Sequence, residues 1–148
     1  MSGTARPGAV FSFPIRVYWE DTDAGGIVFY ANYLKFFERA RTEWLRALGH
    51  GQERMRVDGG AMFVVSDTTM RYRRPARLDD LLRITVRLAH VTRTSITLDQ
   101  QAWRDDVLLT EGSIRIACVE AGTFQPRRIP TEIAARLPAT TATPIPKS

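Results

Sequence analysis

A single cysteine, Cys118, excludes an internal disulfide. Histidine is almost as scarce, with only His50 and His90, so a Cys/His metal site lacks ligands and no metal or cofactor is expected. Lysine is confined to Lys35 and Lys147; the net charge of +5 therefore comes from arginine, whose planar fork suits phosphate. No apolar run approaches the ~18 residues of a membrane span. MSGTARPGAVFSF has no continuous apolar core of the secretory kind, so the cytoplasm is the expected compartment. The glycines do not form GxGxxG, no lysine or serine follows them as in a phosphate loop, and GxSxG is absent. The arginine run RYRRPAR has no interleaved stacking aromatic beyond Tyr72 and reads as a solvated strand end rather than a nucleic-acid patch.

What is present fits one domain: 148 residues, 44% of them hydrophobic, can bury a real core. Residues 1–12 and 137–148 are rich in Pro, Thr, Ala and Gly without periodicity, and read as flexible arms on a domain of residues 13–136. FPIRVYWE alternates as a first strand, and DAGG is its turn signal. From Asn32, read as an N-cap, Tyr33, Phe37, Ala40, Trp44 and Leu48 recur at helical spacing, and Gly49 ends the helix. Leu34, Phe36, Leu45 and Ala47 widen the apolar arc to about half the circumference, so the helix belongs in a sheet's concave face or between subunits. Arg41 lies inside that arc and is expected to pair with Glu38.

FVVSDTTMRY, LLRITVRLAHV, RTSITLDQQAW and VLLTEGSIRIACVEA then read as strands joined by short turns. The order gives an α+β fold, one long helix packed on an antiparallel sheet. Cys118 shares strand parity with Ile114 and Ile116, so it reads as a buried structural thiol. His90 continues the Leu82-to-Leu88 parity as a packing residue, and His50, beside the helix stop, reads as a capping partner.

The chemistry concentrates in YWEDTDAGGIVFYANYLKFFERAR, residues 18–41, where Glu20, Asp21 and Asp23 run into Gly25-Gly26 and then a helix start. A helix N-terminus carries unpaired N–H groups and about half a positive charge, enough to polarise a carbonyl or hold an oxyanion. A carboxylate a few residues earlier could attack an acyl group, or activate water, while those amides take the developing charge. A capping acid at a turn fits the same spacing, and spacing alone does not select Asp23 over Asp21 or Glu20. Arg93 sits in a tight turn between strands, where it could meet a phosphate.

YWEDTDAGGIVFYANYLKFFERARTEWL resembles the signature of the hotdog-fold acyl-CoA thioesterases of the 4-hydroxybenzoyl-CoA thioesterase family, most closely the Tol-Pal-associated YbgC group. RRPARLDDLL, RTSITL and PRRIPTE are similar to that group's later segments, so the likeness covers about residues 13–136. It implies a hotdog fold, an antiparallel sheet wrapped round one long central helix, paired into dimers and commonly homotetramers. It implies hydrolysis of acyl-CoA to free acid and CoA. It also selects Asp23 as the catalytic acid, Tyr30 as the residue whose backbone N–H faces the thioester carbonyl, and Arg93 with Arg128 as CoA-binding residues. Many YbgC-like sequences carry histidine where this one has Tyr30, so no imidazole is available there. Two other readings remain. One is a hotdog protein that docks acyl carrier protein or a cell-envelope partner, with little or no catalysis; the other is a hotdog hydratase or dehydratase. Neither involves nucleic acid.

Overall fold

The computed structural model describes residues 10–49, 56–57 and 59–137. Most of both expected arms, and His50, lie outside the described residues. The first strand, β1 (Val10–Arg16), begins three residues inside the stretch read as an arm. A short 3-10 turn at Trp19–Asp21 and a loop lead to helix α1 (Asn32–Ala47). Four strands follow: β2 (Ala61–Tyr72), β3 (Leu81–Val91), β4 (Ser95–Arg104) and β5 (Val107–Glu120). A short helix, α2 (Thr131–Arg136), comes last. The strands form one antiparallel sheet in the order β1-β3-β4-β5-β2, the α+β architecture expected from the sequence.

The core is the meeting of two periodicities. Tyr33, Phe36, Phe37, Ala40, Trp44 and Leu45 recur at three and four residues and are all buried on α1. They share one cluster with Leu82, Ile84, Val86 and Leu88 of β3, which alternate along their strand, and with Ile96, Leu98, Ile114, Ile116 and Cys118. The apolar arc of α1 is narrower than the sequence suggests, because Leu34 is 44% exposed and Ala47 is exposed too. Gly49, at φ +97°, donates its N–H to the Arg46 carbonyl and ends the helix as expected. The N-cap position is Ala31, and Asn32 is the first helical residue. Its side chain is engaged elsewhere, as described below.

Two expectations about buried polar groups change. Arg41 is buried, but it donates to Gln100 Oε1 at 2.9 Å and forms no ion pair with Glu38; Gln100 in turn donates to the Phe37 carbonyl at 3.1 Å. A neutral partner from β4 replaces the charged one a turn away, and burial pulls the Arg41 pKa down against the opposing pull of Glu38. His90 is exposed, not packed, because the β3–β4 register shifts between Leu88 and His90 and brings Ala89 inward in its place. Cys118 is buried as expected, and burial pushes its thiol pKa up. Among the described residues no helix is long and apolar enough to cross a membrane.

The sheet has two ends that matter for function. At one end lie Leu81 of β3 and Tyr72 of β2, beside the β1–α1 loop: Val28 N–H donates to the Ala76 carbonyl at 2.8 Å and Leu78 N–H to the Gly26 carbonyl at 3.3 Å. At the other lie Val91, Ser95 and Ala61, with the β3–β4 turn and the segment after β5. β3 has 11 residues, which separates the two ends by about 30 Å at the rise of a strand.

Candidate active site

The three acids of the motif have three different fates. Glu20 is exposed. Asp21 is 5% exposed and both its carboxylate oxygens are engaged: Oδ2 accepts Tyr18 N–H at 2.8 Å and Oδ1 accepts Asn32 Nδ2 at 2.8 Å. Its carbonyl also accepts Phe29 N–H at 3.1 Å. Asp23 is exposed, and its Oδ1 accepts Gly25 N–H at 2.8 Å. No hydrogen bond from a described residue reaches its Oδ2, so Asp23 keeps one free oxygen on a side chain held by the other.

The loop that carries Asp23 closes as a tight turn. Asp23 N–H donates to the Ile27 carbonyl at 2.9 Å and Gly26 N–H to the Asp23 carbonyl at 3.0 Å, while Thr22 bridges Val28. Gly26 takes φ +79°, the left-handed region that side chains disfavour. After Val28 the chain turns into α1. Asn32 N–H donates to the Phe29 carbonyl at 2.8 Å, Tyr33 N–H to that of Tyr30 at 3.4 Å, and Leu34 N–H to that of Ala31 at 3.1 Å. The N–H groups of Tyr30 and Ala31 find no acceptor among the described residues. They stand at the positive end of a 16-residue helix, the arrangement that receives an anion.

Aromatic rings surround this opening. Tyr30 is 62% exposed, and its ring lies 4.9 Å from that of Phe29 and meets Tyr72 edge-on at 5.9 Å. Tyr33 packs beside Tyr72 at 5.7 Å, and its hydroxyl accepts Ala76 N–H at 3.0 Å. The Tyr72 phenol is pushed up in pKa by burial first and by the neighbouring Tyr30 and Tyr33 second. One helical turn on, a groove of about 270 Å³ runs between Leu34, Lys35, Glu38 and Arg41 of α1 and Val65 and Thr68 of β2. A larger hollow of about 590 Å³ lies around Thr85, Arg87, Asp99 and Glu111, side chains that alternate with the helix-facing ones and point away from α1. No motif residue reaches it, and Arg87 and Arg73 there are already paired with Asp99 and Glu111.

The loop thus carries an exposed acid on a clamped turn and, a few residues later, free amides at a helix start. The family model of the thioesterase superfamily matches residues 25–111. The chain belongs to the thioesterase superfamily. It is 42% identical over 125 residues to the acyl-CoA thioesterase YbgC of Haemophilus influenzae, covering 84% of this chain and 92% of that one. It is 41% identical over 127 residues to the acyl-CoA thioester hydrolase YbgC of Escherichia coli, covering 85% and 94%. Among solved structures, a probable thioesterase from Bartonella henselae superposes with a TM-score of 0.79 at 34% identity, covering 82% of this chain and all of that one. The hotdog fold and the YbgC-like character expected from the motif are thereby borne out.

Within this thioesterase-superfamily fold the sequence-selected residues fall into two pairs. Asp23 and Tyr30 sit in one loop at the β2–β3 end of the sheet. Arg93 and Arg128 are exposed at the opposite end, joined through Ile129 N–H, which donates to the Arg93 carbonyl at 2.9 Å. No single chain brings the two pairs together. Sequence reasoning did not find Asn32 as the partner of Asp21, having read it as a cap, nor Tyr72 as part of the aromatic rim. The sequence carries a signal for neither, since Asn32 lies 11 residues from Asp21 and Tyr72 is brought in by another strand.

Proposed function

We propose that this chain hydrolyses acyl-CoA, water and the thioester giving a free carboxylic acid and CoA. The observation that carries the reading is the presence, in one loop, of a held but exposed Asp23 carboxylate and of the Tyr30 and Ala31 N–H groups, which have no acceptor among the described residues. The thioester carbonyl accepts from the Tyr30 amide, and negative charge that develops on its oxygen is stabilised at the helix's positive end. The free Oδ2 of Asp23 acts on the carbonyl carbon, either by taking a proton from the attacking water or by direct attack. The acyl group lies under the Tyr30 and Tyr72 rings, towards the groove beside Leu34.

The CoA end requires a second copy. Arg93 and Arg128 lie about 30 Å along β3 from the Asp23 loop of their own chain. β2 is an edge strand whose outer side no described strand covers, and Val65 on it is 50% exposed. Two copies joined antiparallel along β2 set the arginine end of one against the Asp23 end of the other, so each site takes its acid from one protomer and its phosphate-binding arginines from the next. Dimers of this kind are the minimum unit, with tetramers built from them. A panel of acyl-CoA substrates assayed for free thiol, with light scattering on the same sample, tests both parts. Thiol release by a dimer or larger species is expected. Saturable acyl-CoA binding without thiol release would favour the docking reading, and an active monomer at micromolar concentration would remove the shared site.

A further inference from the structure

The Tyr30 and Ala31 amides are useful only if they point at the carbonyl, yet neither is fixed by a hydrogen bond of its own to a described residue. What flanks them is fixed, and both flanks end on one residue. Phe29 N–H, just before the pair, donates to the Asp21 carbonyl at 3.1 Å; the Asn32 side chain, just after it, donates to Asp21 Oδ1 at 2.8 Å. The remaining oxygen, Oδ2, accepts Tyr18 N–H at 2.8 Å and so ties the arrangement to the exit of β1. Asp21 and Asn32 are 5% and 8% exposed, so these bonds form where water competes poorly. A residue that only closed the turn at Trp19–Asp21 would need the Tyr18 contact alone. The bond to Asn32 spans 11 residues and serves the helix start instead.

We propose that the Asp21–Asn32 pair is the positioning device of the oxyanion site, holding the turn that presents the Tyr30 and Ala31 amides while taking no part in the chemistry itself. This rests on the acyl-CoA hydrolase reading above. Its chemical logic is that a carboxylate can accept from two sides at once, and that donors must be aimed before charge develops if they are to lower the barrier. Movement of about 1 Å at such a site can cost roughly 10²-fold in rate.

The test uses the full chain. Asn32→Ala removes the anchor behind the amides and leaves the Tyr18–Asp21 turn intact. The expected result is a fall in kcat of about 10- to 100-fold with KM changed less than about threefold. The exchange variant Asp21→Asn with Asn32→Asp keeps both contacts, because the new amide accepts from Tyr18 N–H and donates to the new carboxylate; it is expected to recover most of the lost kcat. A second readout is the infrared carbonyl band of a ¹³C-labelled thioester bound to Asp23→Asn protein. That band should lie below its position in water, and adding Asn32→Ala should move it back towards that position. If Asn32→Ala does not stay folded, Asn32→Ser replaces it with the same expectations. An unchanged kcat in the Asn32 variant, in a protein that Asp23→Asn inactivates, overturns the positioning role and leaves the hydrolase reading standing. So does a kcat loss with an unmoved carbonyl band and no recovery in the exchange variant. Full activity in Asp23→Asn overturns the hydrolase reading itself.

Discussion

Asp23→Asn separates a catalytic acid from a turn acid because its two carboxylate oxygens have different surroundings. Oδ1 accepts Gly25 N–H at 2.8 Å, and an asparagine Oδ1 can do the same. Only the free oxygen is replaced, by an NH₂ group that can neither attack a thioester nor take a proton from water. The side chain is exposed, so the loss of one charge-assisted bond in favour of a neutral one should cost under about 1 kcal/mol of stability. Loss of a general base should lower kcat by roughly 10²- to 10⁴-fold, which is about 3 to 5 kcal/mol of transition-state stabilisation. The two magnitudes are far enough apart to be read in one experiment: urea denaturation for the first, thiol release from acyl-CoA for the second. Glu20→Gln removes an exposed charge three residues away and controls for net charge, with turnover expected within about twofold of the parent. A folded Asp23→Asn protein with near-parental kcat would refute the assignment. A loss of several kcal/mol in stability would show that the acid is chiefly structural.

Arg93→Ala and Arg128→Ala should each raise KM with little change in kcat, since a phosphate contact is alike in ground and transition states, and added salt should weaken substrate binding more in the parent than in either variant. Equal salt dependence in all three would move the phosphate site elsewhere. Tyr30→Phe keeps the backbone amide and the ring that meets Tyr72, so kcat should stay within about threefold of the parent; a loss nearer 10²-fold in the same thiol-release assay would make the hydroxyl a proton carrier. Gly112→Ala places a Cβ 2.5 Å from Met70 Sδ and 2.6 Å from the Thr69 carbonyl, and because the latter is backbone the cost should be about 1 to 3 kcal/mol in urea denaturation; a change below about 0.5 kcal/mol would mean that β2 yields easily.

The parts legible in the sequence were those governed by local period. α1 was set by residues three and four apart, β3 by Leu82, Ile84, Val86 and Leu88, and the helix stop by Gly49, all of which depend on neighbours in the chain. What was not legible depended on residues distant in the chain. Arg41 had a charged candidate one turn away in Glu38, yet its partner is Gln100, which β4 delivers from 59 residues on. His90 followed the strand parity on paper, but one extra residue at the Leu88–His90 register shift turned it out to solvent. Asn32 looked like a cap because caps are the usual work of asparagine at a helix start, and only the fold of the loop brings Asp21 within reach of its side chain. The separation of Asp23 from Arg93 is likewise a property of strand length and direction, invisible until the sheet order is known.

The same dependence explains why spacing could not choose among the acids. A carboxylate is poised to react when it keeps an oxygen that no donor occupies and is nevertheless held still. Asp21 fails the first condition, since Tyr18 and Asn32 take both its oxygens. Glu20 has no hydrogen bond to a described residue and so fails the second. Asp23 meets both through the double glycine that follows it. Gly25 offers its N–H to one oxygen, and a Cβ built there would sit 3.3 Å from that oxygen. Gly26, at φ +79°, closes the turn by donating to the Asp23 carbonyl. A side chain at Gly26 would strain the left-handed backbone by about 1 to 2 kcal/mol and loosen the turn that fixes the carboxylate plane. The glycines therefore leave the acid one bound oxygen and one free.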